Sequence, residues 1–125
     1  MPLCRPTSQP SVLIVDSSAE NREVLRTALG RRGLTVFEAE AADQGLELAR
    51  EHHPDVIVLD LEEKRHGQAA AGQQFADEAD ASGSRLIVLG KIRRGPVFTG
   101  GHVISKPYHF APLIHTIEQL AARAA

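Results

Sequence analysis

Tryptophan is absent, and tyrosine, methionine and cysteine occur once each beside four phenylalanines, so aliphatic side chains have to supply the core. A lone Cys4 excludes an internal disulfide and fits a reducing compartment, which makes the cytoplasm the expected location. No stretch approaches the roughly 18 consecutive apolar residues of a membrane helix, and Met1–Pro10 lacks the apolar centre of a signal peptide, so no membrane association is expected. Neither sign of charge dominates: 14 Lys and Arg against 16 Asp and Glu give a formal net charge of -2, so nothing points to nucleic acid as a partner. A Gly-rich phosphate loop and a nucleophile–base pair are also missing, which argues against a conventional metabolic enzyme. The six histidines show no metal-ligand spacing: His52-His53 falls at a helix end, and His115 on the expected solvent side of the last helix.

What is present is an alternation of strand and helix signals over one domain's length. Met1–Pro10, with three prolines, reads as a disordered leader, and residues 11–125 as a single domain that can bury roughly 60–70% of its unfolded surface. Ser11-Val12-Leu13-Ile14-Val15-Asp16 and Asp55-Val56-Ile57-Val58-Leu59-Asp60 are apolar runs that end abruptly in a carboxylate. Such runs suit strands covered on both faces, the habit of parallel sheets, whose ligand groups gather at the strands' carboxyl ends. Asp16 and Asp60 are therefore expected to face each other across one crevice. Val103-Ile104-Ser105-Lys106-Pro107 brings a cation to the same rim.

Thr35–Ala39 and Arg85–Leu89 complete five strands. Between them the spacing predicts helices from a Ser17-Ser18-Ala19-Glu20 capping box to about Gly33, with Val24, Leu25, Ala28 and Leu29 on one face, over Ala42–Glu51, over Ala69–Ala81 with Phe75 as its large apolar anchor, and over Phe110–Ala124. Ser17 reads as the N-cap of the first. Leu113, Ile117, Leu120 and Ala121 should face inward from the last. Residues 91–105 contain Gly95, Pro96, Gly100 and Gly101 and leave little room for a helix of ordinary length, so the crossover between the fourth and fifth strands should be irregular and its helix short or missing. The fold expected is α/β, a doubly wound five-stranded parallel sheet.

Three motifs in order carry a family resemblance: Val15-Asp16 before the capped helix, Pro54-Asp55-Val56-Ile57-Val58-Leu59-Asp60, and Lys106-Pro107 before an aromatic and the last helix. From Ser11 to Ala124 the chain resembles the response regulator receiver domain of two-component signalling, a flavodoxin-like fold. The resemblance implies a phosphorelay protein with Asp60 as phosphoacceptor and Lys106 pairing with the phosphoryl oxygens. It implies Mg2+ held by Asp16, Asp60 and the backbone carbonyl of Glu62. A histidine kinase, phosphotransfer protein or small phosphodonor would supply phosphate, and a downstream protein would read it. No enzymatic activity is implied beyond phosphoryl acceptance and slow autodephosphorylation, and the oligomeric state, monomer or homodimer, is left open.

The chemistry agrees: aspartate can form an acyl phosphate, transfer depends mainly on positioning and charge, and Mg2+ is usually held by one or two carboxylates. Departures from the family pattern point to an atypical member. Ser17 replaces an acidic residue, which should weaken Mg2+; Leu89-Gly90 replaces a hydroxyl at the end of strand four; Val103 replaces a switch aromatic; and Glu62-Glu63-Lys64-Arg65-His66-Gly67 replaces a Pro-and-Gly loop. The alternative is a phosphorylation-independent pseudo-receiver that acts as a protein-interaction module. On that reading Asp60 and Asp16 cap loops or helices and Lys106 is their structural ion-pair partner.

Overall fold

The computed structural model describes residues 9–60, 68–90, 102–104 and 106–124. Five strands, β1 (Ser11–Val15), β2 (Thr35–Ala39), β3 (Val56–Asp60), β4 (Arg85–Leu89) and β5 (His102–Ile104), pair in parallel in the order β2-β1-β3-β4-β5. Among the described residues four helices pack on this sheet: α1 (Ala19–Arg31), α2 (Ala42–His52), α3 (Gln68–Ser82) and α4 (Phe110–Ala124). This is the flavodoxin-like, doubly wound arrangement. The crossover expected to carry a short or missing helix falls on residues 91–101, outside the described residues, as does the loop from Leu61 to Gly67.

Alternate residues of the central strands point to opposite faces, and each face is covered by two helices. Val12, Ile14, Val56, Val58, Ile87 and Leu89 meet Leu25 and Leu29 of α1 and Leu113, Ile117 and Leu120 of α4. Leu13, Val15, Ile57, Leu59, Leu86 and Val88 meet Leu46 and Ala49 of α2 and Phe75, Ala76 and Ala79 of α3. The apolar runs are continuous because both faces are covered, and Val12, Leu13 and Ile14 are completely buried.

Local signals set the element ends, with two corrections to the sequence reading. The N-cap of α1 is Ser18, whose hydroxyl accepts from the Asn21 amide at 3.3 Å, and Ser17 stands outside the helix, exposed. Val24 is 42% exposed, on the rim of the α1 stripe that Leu25 and Leu29 bury. At the other end of α1, Gly33 at φ +85° lets the chain turn, its amide bonding Gly30 while the Leu34 amide bonds Leu29. Gly45 lets α2 lie close on β1: a Cβ there would stand 2.7 Å from Cγ2 of Val15 and 3.0 Å from Cζ of Phe75. The β1–β2 ladder extends one residue before Ser11, where the Pro10 carbonyl accepts from the Thr35 amide at 3.0 Å. No helix among the described residues is long and apolar enough to cross a membrane.

Candidate functional site

β1 and β3 are hydrogen-bonded neighbours, with Val15 in register with Leu59, so the carboxylates that follow Val15 and end β3 emerge side by side. Asp16 is 3% exposed, and the Asp60 side chain 5%. Asp16 is fixed from three directions. Its Oδ1 accepts from the Ser18 amide at 2.8 Å, its Oδ2 from Nδ2 of Asn21 at 3.3 Å, and its backbone carbonyl from Nη1 of Arg22 at 2.6 Å. Arg22 in turn lies 3.6 Å from the Glu38 carboxylate on β2.

Lys106 follows the edge strand β5, and its Nζ donates to Oδ1 of Asp60. Three strand ends thus converge: Asp16 after β1, Asp60 at the end of β3 and Lys106 beyond β5. Between the last two lies β4, followed directly by Gly90; this residue has φ +149°, carries no side chain, and its amide bonds the Ile104 carbonyl at 3.0 Å. Glu62 lies outside the described residues. Val103 is 50% exposed on the outer edge, away from the burial of the carboxylates. His115 is exposed, and His53 caps α2 in the left-handed region.

Burial pushes the Asp60 carboxyl above its ordinary value of 3.8; the Lys106 hydrogen bond opposes that rise, and the charge of Asp16 adds to it. The neighbouring Tyr108 hydroxyl is pushed up to about 12, first by burial and then by the charges of Asp16 and Asp60. Tyr108 packs edge-on against Phe110, ring centres 5.7 Å apart. With Asn21, Lys106 and Pro107 these aromatics line an open cleft of about 520 Å³ beside the acidic pair.

Neither Asn21 nor Tyr108 stands out in the sequence as a member of this site. The aromatic after Lys106-Pro107 is visible as a motif without a role. The place of Asn21 depends on where α1 begins, one residue later than the capping-box spacing suggests.

Residues 12–83 match the response regulator receiver domain. The chain belongs to this family. Over 51 residues it is 49% identical to the KDP operon transcriptional regulatory protein KdpE of Escherichia coli (strain K12), a match that covers 41% of this chain and 23% of that protein. It is 29% identical to the polar-differentiation response regulator DivK of Brucella ovis, covering 86% of this chain and 93% of that one. Among solved structures, the Francisella response regulator 1452 receiver domain superposes with a TM-score of 0.74 at 18% identity, covering 94% of this chain and 100% of that one. The Vibrio cholerae chemotaxis protein CheY4 does so at 0.70 and 19%, covering 90% and 99%.

Receiver domains typically bind Mg2+ at the phosphorylation site, and the residues here fit a hard cation. The donors are hard oxygens, two buried carboxylates close enough for one to raise the other's pKa. Among the described residues no cluster of three or more His, Cys, Asp and Glu side chains forms. Asp16 and Asp60 are the residues that would hold the metal, and its charge would offset their mutual repulsion.

Proposed function

We propose that this receiver domain accepts a phosphoryl group on Asp60 in two-component signalling. The observation that carries the reading is the ion pair between Lys106 and the buried Asp60, formed across the end of β4 with Asp16 alongside. An oxygen of the Asp60 carboxylate attacks phosphorus. An O–P bond forms to give an acyl phosphate as the bond from phosphorus to the donor breaks, and the donor leaves with its bonding electron pair and takes up a proton. A histidine kinase or phosphotransfer protein is the donor by this reading, and a downstream protein reads the product. Lys106 exchanges its carboxylate partner for a phosphoryl oxygen, holding the new charge with a compact ammonium. Asp16 with Asp60 supplies the oxygens for Mg2+, which when bound neutralises charge on the carboxylates and the phosphoryl group.

The same reading takes the receiver domain, whose first ladder begins at Pro10, as the functional unit, the cytoplasm as the location, and no catalysis beyond phosphoryl acceptance and slow autodephosphorylation. This reading takes proteins as the partners, and the near-neutral charge gives no reason to expect nucleic acid or an anionic membrane surface.

A second reading, a phosphorylation-independent interaction module, is favoured by Ser17, which brings no second acid to the rim, and by Gly90, which brings no hydroxyl. Incubation with Mg2+ and a small acyl-phosphate donor, followed by intact mass, separates the two. A gain of one phosphoryl group that disappears in Asp60→Asn supports phosphoacceptance. An unchanged mass under conditions that label a competent receiver supports the module.

A further inference from the structure

Two carboxylates leave open positions on an octahedral divalent ion, and position 17 holds an exposed serine. The side chain that approaches Asp16 from the cleft is that of Asn21. It sits in the first turn of α1, its backbone amide already taken by the Ser18 cap, so its carboxamide is directed by the helix rather than spent on capping. It meets Oδ2 of Asp16, the oxygen not engaged by the Ser18 amide, at 3.3 Å. In an octahedral Mg2+ site with ligands at about 2.0–2.1 Å, adjacent oxygens stand roughly 3 Å apart. The pair therefore already has the separation of two neighbouring ligands of one ion. A half-turn of the carboxamide exchanges the nitrogen that now bonds Asp16 for an oxygen that can bind metal.

Resting on the reading of Asp16 and Asp60 as a cation site, we propose that Asn21 is a ligand of the divalent cation, its carboxamide oxygen adding a third side-chain donor to the two carboxylates. Without metal it bonds Asp16; with metal it turns its oxygen to the ion. α1 then joins the site directly, and the cleft wall formed by Asn21, Lys106 and Tyr108 becomes the wall of the metal pocket.

Tyr108 is the chain's single tyrosine, no tryptophan competes with it, and it lies in the field of both carboxylates, so it can sensitise bound terbium. The test titrates terbium(III) into the intact chain and into Asn21→Ala, Asn21→Asp, Asp16→Asn and Asp60→Asn, with Mg2+ as competitor. Luminescence lifetimes in light and heavy water count the coordinated waters, and melting without metal checks that each variant is folded.

The expected result is saturable emission displaced by Mg2+ and abolished by Asp16→Asn and Asp60→Asn. Asn21→Ala should bind about tenfold more weakly and carry one more water, whereas Asn21→Asp should bind more tightly with the unchanged chain's water number. If Asn21→Ala matches the unchanged chain in affinity and water count while Asp60→Asn abolishes binding, Asn21 is no ligand and the acidic site stands without it. If both Asn21 variants weaken binding and neither alters the water count, Asn21 only positions Asp16 and the proposal falls. An unchanged chain with no saturable emission and no Mg2+-dependent rise in melting temperature overturns the proposal together with the cation site it rests on.

Discussion

Lys106 pairs with Asp60 although their strands are not neighbours: β4 lies between β3 and β5, and the lysine reaches over its end, beside Gly90. The lysine side chain is 33% exposed and the aspartate 5%, so a half-solvated cation neutralises a buried anion. This asymmetry decides what happens when either partner is altered.

Asp60→Asn is expected to raise the melting temperature at neutral pH. Burial and Asp16 raise the Asp60 pKa in the folded state, so ionised Asp60 costs stability; the cost is absent below the ordinary value of 3.8 and complete above the raised folded value. Lys106, left without its partner, still reaches water. The gain should therefore shrink as pH falls towards 3.8. Thermal melts of both proteins across that range check it; a variant less stable than the unchanged chain at neutral pH would show that the ion pair outweighs the burial cost.

Tyr108 offers a titration with one chromophore. Its phenolate absorbance should appear with a midpoint near 12 in the unchanged chain, and at lower pH in Asp16→Asn and Asp60→Asn, each of which removes a charge that opposes ionisation. The larger part of the shift should persist in both variants, because burial is its first cause. Alkaline difference spectra measure it directly, and identical midpoints in all three proteins would remove Tyr108 from the site.

Ser17→Asp should strengthen Mg2+ binding by adding a carboxylate to the rim, at the expense of further crowding two acids that already repel. Before metal is added the variant should melt below the unchanged chain, and at high Mg2+ the order should narrow or reverse. A cation present at about 100 times its Kd adds roughly 2.7 kcal/mol to the folded state. Melting curves against Mg2+ concentration provide the check.

On the opposite face of the sheet, Gly45→Ala should destabilise the fold, because its methyl would meet Val15 at 2.7 Å and Phe75 at 3.0 Å, both buried. Overpacking of about 1–3 kcal/mol is offset by about 1 kcal/mol of helix propensity, leaving a net loss of up to about 2 kcal/mol. Phe75→Ala, which empties the anchor of α3, should cost about 3–5 kcal/mol. Denaturant unfolding measures both.

The framework was legible because the central strands are covered on both sides: their apolar runs are continuous, and β2 and β4 occupy the very residues the sequence marks. α4 was equally plain, since Leu113, Ile117, Leu120 and Ala121 recur at helical spacing and all are buried. The convergence of Asp16, Asp60 and Lys106 followed from strand ends alone. Finer features were hidden by local competition. Two adjacent serines offer the same capping chemistry, and what selects Ser18 is the Asp16 carboxylate taking the Ser18 amide and delaying the helix by a residue. That delay aims Asn21 at Asp16. Val24 adjoins the apolar stripe of α1 in sequence, but α4 closes over Leu25 and Leu29 and leaves it at the margin. The closeness of Gly45 to Val15 is a tertiary distance with no sequence periodicity to announce it.

β1 and β3 are each clamped by a hydrogen-bonded strand on either side. The acids they carry cannot drift apart to ease their crowding, as two carboxylates on loops would. Relief has to arrive as something that alters charge, whether a proton, an ion or an esterified oxygen, so the stiffness of the scaffold is what makes this corner of the protein responsive to its surroundings.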